Sequence, residues 1–254
     1  MENKEKDYPT WELGGLIKKA EVITYILSVI EKDLPVTGME IVRLAKEINW
    51  SISVTHVYKI LKKLEIHDPD HERYPILSSR WLDDGCRERL YDIVPATGPA
   101  FLRHAHQTMV DRCIQVQHLI RNVENHIRQD SSVAPAPLLD SFELLSVRDL
   151  YRLSILSYSQ SGMSIKNQIK TKVLGLRINK AHYRLQAAWL SSNGYQDSDT
   201  ERLTTAGEEH LLQLKSDILA QIPHAKQRVQ DLLDYPSTYQ RARMRKQFQE
   251  TSSG

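Results

Sequence analysis

One arrangement occurs twice along this chain, and it restricts the fold more than any single motif does. Short helix-length segments closed by breaker residues lead into a brief extended stretch and then a long amphipathic run. Tyr58 and Tyr183 stand at similar places in the two copies, about 125 residues apart. Each short apolar stripe must be buried against its neighbours, and each long stripe against another helix. The expected fold class is therefore mostly α with small β-hairpin wings: tandem winged helix-turn-helix domains with long C-terminal helices. A chain of 254 residues has room for two domains of about 100 to 150 residues.

Breakers set the boundaries. Residues 1–10 read as a polar tail, 11–130 as the first winged-helix domain with its long helix, 131–140 as a linker, 141–234 as the second domain, and 235–254 as a basic tail. In the first copy a helix is predicted from about Glu12 to Lys32, with Pro35 and Gly38 beyond it. A second runs from about Met39 to Ile48. Ser51 or Ser53 caps a third that ends near Glu65, with Val57, Ile60, Leu61 and Leu64 on its buried side. Runs at Ile76–Leu82 and Arg87–Val94 flank Asp83-Asp84-Gly85, a strong hairpin signal. A long helix from about Ala100 to Arg128 follows, then Ser131–Pro137, a linker by composition.

The second copy is predicted to hold a helix broken at Ser161-Gly162, a second from Ser164 to about Val173, and a third from Asn179 to Asn193-Gly194. Aligning the tyrosines puts Trp189 where Leu64 stands; counting back from Gly194 puts Leu190 there. A brief strand pair between Tyr195 and Arg202 precedes a last helix from Leu203-Thr-Thr-Ala-Gly207 to about Leu233, which Pro236 is expected to end.

Charge distribution carries the functional reading. Net charge is only +2, yet residues 150 to 196 hold no Asp or Glu and carry Arg152, Lys166, Lys170, Lys172, Arg177, Lys180 and Arg184. Solvated helices usually mix signs for i,i+4 support, and this segment does not. Positive charge gathered on helical pairs suits a polyanion, because a helix fits the DNA major groove while flanking Lys and Arg neutralise phosphates. The first copy offers Ser53, Thr55, His56, Lys59, Lys62 and Lys63 on its third helix, with Arg80, Arg87 and Arg89 flanking the hairpin. The second offers Lys166, Lys170, Lys172, Arg177, Asn179, Lys180, His182, Tyr183 and Arg184. The acidic tip at Asp83 and Asp84, and Asp197, Asp199 and Glu201 in the second wing, oppose backbone contact there.

The residues Gly38-Met-Glu-Ile41, Trp50-Ser-Ile-Ser53 and Val57-Tyr58-x-x-Leu61-x-x-Leu64-Glu65 resemble the PadR-like transcriptional regulators, as does Leu203-Thr-Thr-Ala-Gly207 at the exit of the second wing. Val94-Pro95-Ala-Thr-Gly98 departs from that pattern by placing Pro where the family has Thr. The resemblance spans roughly residues 15–125 and 145–233. It implies a winged helix-turn-helix that reads DNA and dimerises through its C-terminal helices. Two units in one chain is itself a departure, since family members usually carry one.

Other chemistries find little support in the residues. No Walker loop, dinucleotide glycine pattern, zincin motif or nucleophile elbow occurs, so an enzyme is not expected and no cofactor is implied. His67 and His71, or His104, His106 and Cys113, do not converge as metal ligands from sequence alone. Cys86 and Cys113 read as reduced thiols, and no apolar run is long enough to span a bilayer. The N-terminus is too polar for a signal peptide, so a cytoplasmic, nucleoid-associated protein is expected. Trp11, Trp50, Trp81 and Trp189 read as core anchors. The expected partners are double-stranded DNA and, across the long helices, a second copy of the chain, with a small-molecule effector between helices left open. The alternatives are a plasmid or phage replication or partition protein, and a winged-helix protein-interaction adaptor.

Overall fold

The computed structural model describes residues 16–30, 35–66, 74–82, 88–129, 133–134, 145–162, 172–173, 176–177 and 180–252, with backbone alone at 172–173, 176–177 and 244–252. Among them are seven helices, α1 (Lys19–Val29), α2 (Gly38–Glu47), α3 (Val54–Glu65), α4 (Gly98–Arg128), α5 (Val147–Gln160), α6 (Lys180–Ser192) and α7 (Thr205–Ser252). The strands are β1 (Val36–Thr37), β2 (Leu77–Trp81), β3 (Arg89–Ile93), β4 (Lys172–Val173) and β5 (Leu176–Arg177). The protein is thus mostly α with a small antiparallel sheet. No helix among the described residues is long and apolar enough to cross a membrane.

The chain forms two compact units. One is Ile17–Ile114 together with the chain from Arg228 onward; the other is Gln115–Gln227. Helices α4 and α7 each contribute to both.

In the α1–α3 unit, β3 lies between β1 and β2, all antiparallel, with Thr37 opposite Leu90 and Ser79 opposite Tyr91. Strand β1 is too short to leave a period-2 pattern, and the sequence reading missed it. Thr37 both ends β1 and caps α2, its hydroxyl accepting the Glu40 N–H at 3.1 Å. Gly38 follows because an added Cβ would stand 2.6 Å from the Tyr58 ring. The core gathers Ile23, Ile26, Ile41, Leu44, Trp50, Val57 and Leu61, all buried. Each such side chain contributes about 1.5–3 kcal/mol relative to exposure.

Pro236 does not end α7, contrary to expectation. A proline inside a helix removes one N–H and orphans the carbonyl four residues earlier. That carbonyl belongs to Leu232, and the Tyr25 hydroxyl donates to it at 2.8 Å in a buried position. Burial, more than the nearby Cys113 and Asp234, raises the Tyr25 pKa well above the ordinary phenol value, so the hydroxyl keeps the proton it donates. Tyr235 packs beside Tyr25 with ring centroids 6.3 Å apart.

In the α5–α6 unit, Ser146 caps α5 by accepting the Arg148 N–H at 3.1 Å. Helix α5 is buried nearly all round, and its hydroxyls have partners: Ser157 with His126 at 3.1 Å and Ser159 with the Gln196 amide at 2.8 Å. The expected helix ending at Val173 is overturned at its close, where Lys172–Val173 is a strand paired with Leu176–Arg177; residues 163–171 lie outside the described residues. Where a strand pair was expected between Tyr195 and Arg202, the described residues hold one bridge, Gln196 to Leu203.

Helix α7 then starts where backbones crowd. A Cβ on Gly207 would stand 1.9 Å from the Tyr195 carbonyl oxygen. The Thr204 hydroxyl accepts the Gly207 N–H at 3.0 Å and donates to Gly194 O at 2.6 Å.

Candidate nucleic-acid interface

Helix α3 begins at Ser53, whose hydroxyl accepts the His56 N–H at 3.3 Å. Its first turn has no acid, and Lys62 and Lys63 lie in its last turn, where cations suit the helix dipole. With Val57 and Leu61 fully buried, helical geometry aims Thr55, Lys59, Lys62 and Lys63 outward, and all four are exposed. The three lysines make no ion pair among the described residues. The Lys19 ammonium adds charge near the start of α3, donating to Ser51 O at 3.1 Å.

His56 departs from the expected reader. It is half-buried, and its Nε2 is enclosed without a hydrogen-bond partner among the described residues. Burial lowers its pKa, and Lys19, Lys59 and Lys63 lower it further, so the ring is neutral at pH 7. It therefore reports the positive field beside α3 without adding to it.

The hairpin arginines already have partners. Arg80 pairs with Asp92 at 3.5 Å, and Arg89 with Glu65 at 3.8 Å. The Arg89 guanidinium also lies 4.6 Å from the centre of the Trp81 ring. Trp81 is 56% exposed, which corrects its reading as a core anchor. Surface pairs of this kind are worth roughly 0–1 kcal/mol and exchange readily for a phosphate. Arg87, Cys86 and Asp83-Asp84-Gly85 lie outside the described residues, as do Trp11, His67 and His71.

In α6 the buried residues are Tyr183, Gln186 and Leu190, at the spacing of the buried Val57 and the half-buried Ile60 and Leu64 of α3, and on this spacing Leu190 is matched to Leu64. Tyr183 then takes the core place of Val57 and is only 4% exposed, which corrects its assignment as a DNA contact. Burial, with a smaller push from Glu201, raises its hydroxyl pKa to about 12. Lys180, His182 and Arg184 are exposed as expected.

Arg152, counted among the free charges from sequence, is held instead. Its guanidinium donates to Gln186 at 2.8 Å, lies 3.5 Å from the Trp189 ring centre and sits 3.9 Å from Asp149. Lys166, Lys170 and Asn179 lie outside the described residues, and Lys172 and Arg177 are placed by backbone only.

Two clefts offer room for a small molecule. One, of about 410 Å³, is lined by Ser28, Ile93, Leu102 and His106 in the α1–α3 unit. The other, of about 330 Å³, is lined by Arg148, Arg152, His210 and Asp217 in the α5–α6 unit. Of the His104, His106 and Cys113 group, His106 bonds Ser28 at 3.2 Å and Cys113 is buried as a free thiol.

Comparison of the chain with protein-family models, curated proteins and solved structures finds no match to any of them.

Proposed function

We propose that this protein is a sequence-specific regulator of transcription that binds double-stranded DNA through a PadR-like winged helix formed by its α1–α3 unit. The observation that carries this reading is the outward face of α3, where Thr55, Lys59, Lys62 and Lys63 stand exposed opposite a fully buried Val57 and Leu61. The element order α1-β1-α2-α3-β2-β3-α4, with three strands in one antiparallel sheet, supports the winged-helix reading. In that arrangement α3 enters the major groove, the capped N-terminal turn with Ser53 and Thr55 approaches base edges, and the lysines neutralise phosphates. Arg80 and Arg89 on the hairpin reach the adjacent backbone by exchanging their surface carboxylates for phosphates.

The DNA reading rests on the α1–α3 unit alone. On α6 the positions matching Lys59 and Lys62 are Leu185 and Ala188, which offer no charge to a phosphate.

The test is a salt titration of DNA affinity by fluorescence anisotropy. Each phosphate neutralised contributes about −0.9 to the log–log slope. The expected slope is steep, and Lys59→Ala with Lys63→Ala reduces its magnitude by roughly 2, for random and preferred sites alike. A slope near zero removes the DNA reading.

A further inference from the structure

The outward face of α6 is apolar where that of α3 is basic. With Leu190 matched to Leu64, Ala181, Leu185 and Ala188 take the places of Thr55, Lys59 and Lys62. These three residues, spaced i, i+4 and i+7, form one stripe opposite the buried Tyr183 and Leu190. All three are exposed, Leu185 by 48%. Lys180 and Arg184 border the stripe on one side and His182 on the other, in a segment from residue 150 to 196 that has no Asp or Glu. Neither Lys180 nor Arg184 makes an ion pair among the described residues.

From this face we infer a docking surface on α6 for an acidic amphipathic helix of another protein. An apolar seam flanked by exposed cations fits a helix that lays Leu-type residues along the seam and carboxylates beside it. The alanines on either side of Leu185 let the partner backbone approach closely. A second copy of α6 would bring cations and no carboxylate to Lys180 and Arg184, since residues 150 to 196 hold no Asp or Glu. DNA is also a poor occupant, since an exposed leucine replaces a lysine at the centre of the face. The assignment goes beyond the DNA reading and does not require it.

The experiment uses the full chain and three synthetic amphipathic helical peptides. Each has Leu at i, i+3, i+4 and i+7, with flanking positions that are all Glu, all Gln or all Lys. The Glu peptide is expected to bind, the Gln peptide at least roughly tenfold more weakly, and the Lys peptide not at all. Leu185→Gln and Arg184→Glu, each with unchanged circular dichroism, are expected to weaken the Glu peptide roughly tenfold. Equal binding of the three peptides, no binding of any, or full binding by Leu185→Gln overturns the proposal. If Leu185→Gln lowers the mass seen by light scattering, the face joins copies of this chain; if it weakens DNA binding, α6 lies on DNA. Either result overturns the proposal as well. Loss of the DNA salt slope with peptide binding intact would sink the DNA reading alone.

Discussion

Tyr25 supplies what Pro236 takes away. Its hydroxyl fills the carbonyl of Leu232 at 2.8 Å, the acceptor that a proline four residues later leaves without its helical donor. Tyr25→Phe should therefore destabilise the protein by about 1–3 kcal/mol, the cost of stranding a buried acceptor. In a Pro236→Ala background the backbone N–H returns and the same Tyr25→Phe change should cost much less. Urea unfolding of the four variants measures this coupling, and equal costs in both backgrounds would show that the hydroxyl and the proline are unrelated. Gly207 gives a second test. Alanine ordinarily favours a helix by about 1 kcal/mol over glycine. Here its Cβ would stand 1.9 Å from a backbone oxygen that cannot rotate away. Gly207→Ala should lower the melting temperature, with a cost of about 1–3 kcal/mol as for other overpacked sites.

At the scale of elements, the sequence exposed what period and capping can expose. Helix α3, its Ser53 cap, the β2–β3 hairpin and the starts of α4 and α6 follow from apolar spacing and breakers. What stayed hidden depended on distant partners. No local signal says that Tyr25 lets α7 run through Pro236, or that Gln186 and Trp189 hold Arg152. The match of Tyr183 with Tyr58 followed residue identity, whereas burial aligns Tyr183 with Val57. That one-residue shift turns an apparent second basic helix into an apolar one. The candidate site was therefore legible on α3, where exposed and buried faces are set by one helix, and less so on the hairpin. Arg80 sits 3.5 Å from Asp92, so removing it deletes a charge that is already partly neutralised. Arg80→Ala should reduce the salt slope of DNA binding less than Lys62→Ala does, by anisotropy titration under identical conditions. The opposite order would place the hairpin, not α3, on the phosphates.

At the scale of the whole molecule, acid should loosen the fold as its enclosed histidines take up protons. Burial is the largest cause holding the pKa values of His56, His126 and His210 below the ordinary histidine value; neighbouring cations add to it, opposed at His210 by Asp149 and Asp217. An unfolded chain takes up these protons near pH 6.5, while the folded chain resists until lower pH. In that window the unfolded state binds more protons, so stability is fully present above about pH 7 and falls as the pH drops toward the lower folded values. Urea midpoints measured between about pH 8 and pH 5 should fall on acidification; a rise would contradict the neutral burial of these rings.

Association is the other property that belongs to the whole chain. The long apolar stripes of α4 and α7 call for cover by another helix, either within the chain or across a two-fold axis, and the family resemblance favours the second copy. Leu102, Met109, Val116, Ile120, Val123 and Ile127 of α4, and Leu211, Ile218, Ile222, Val229 and Leu232 of α7, are all buried within a single chain. The motive for dimerisation through these helices is thereby met internally, leaving Ile114 and Leu212 as their large exposed apolar members among the described residues, 43% and 46% exposed. Single exposed apolar residues are normal on a monomer and do not form a dimer seam. Light scattering at micromolar concentration should give a mass near the 29.3 kDa of one chain. A mass near twice that value, abolished by Ile114→Lys or Leu212→Lys, would return the long helices to a role in joining two copies.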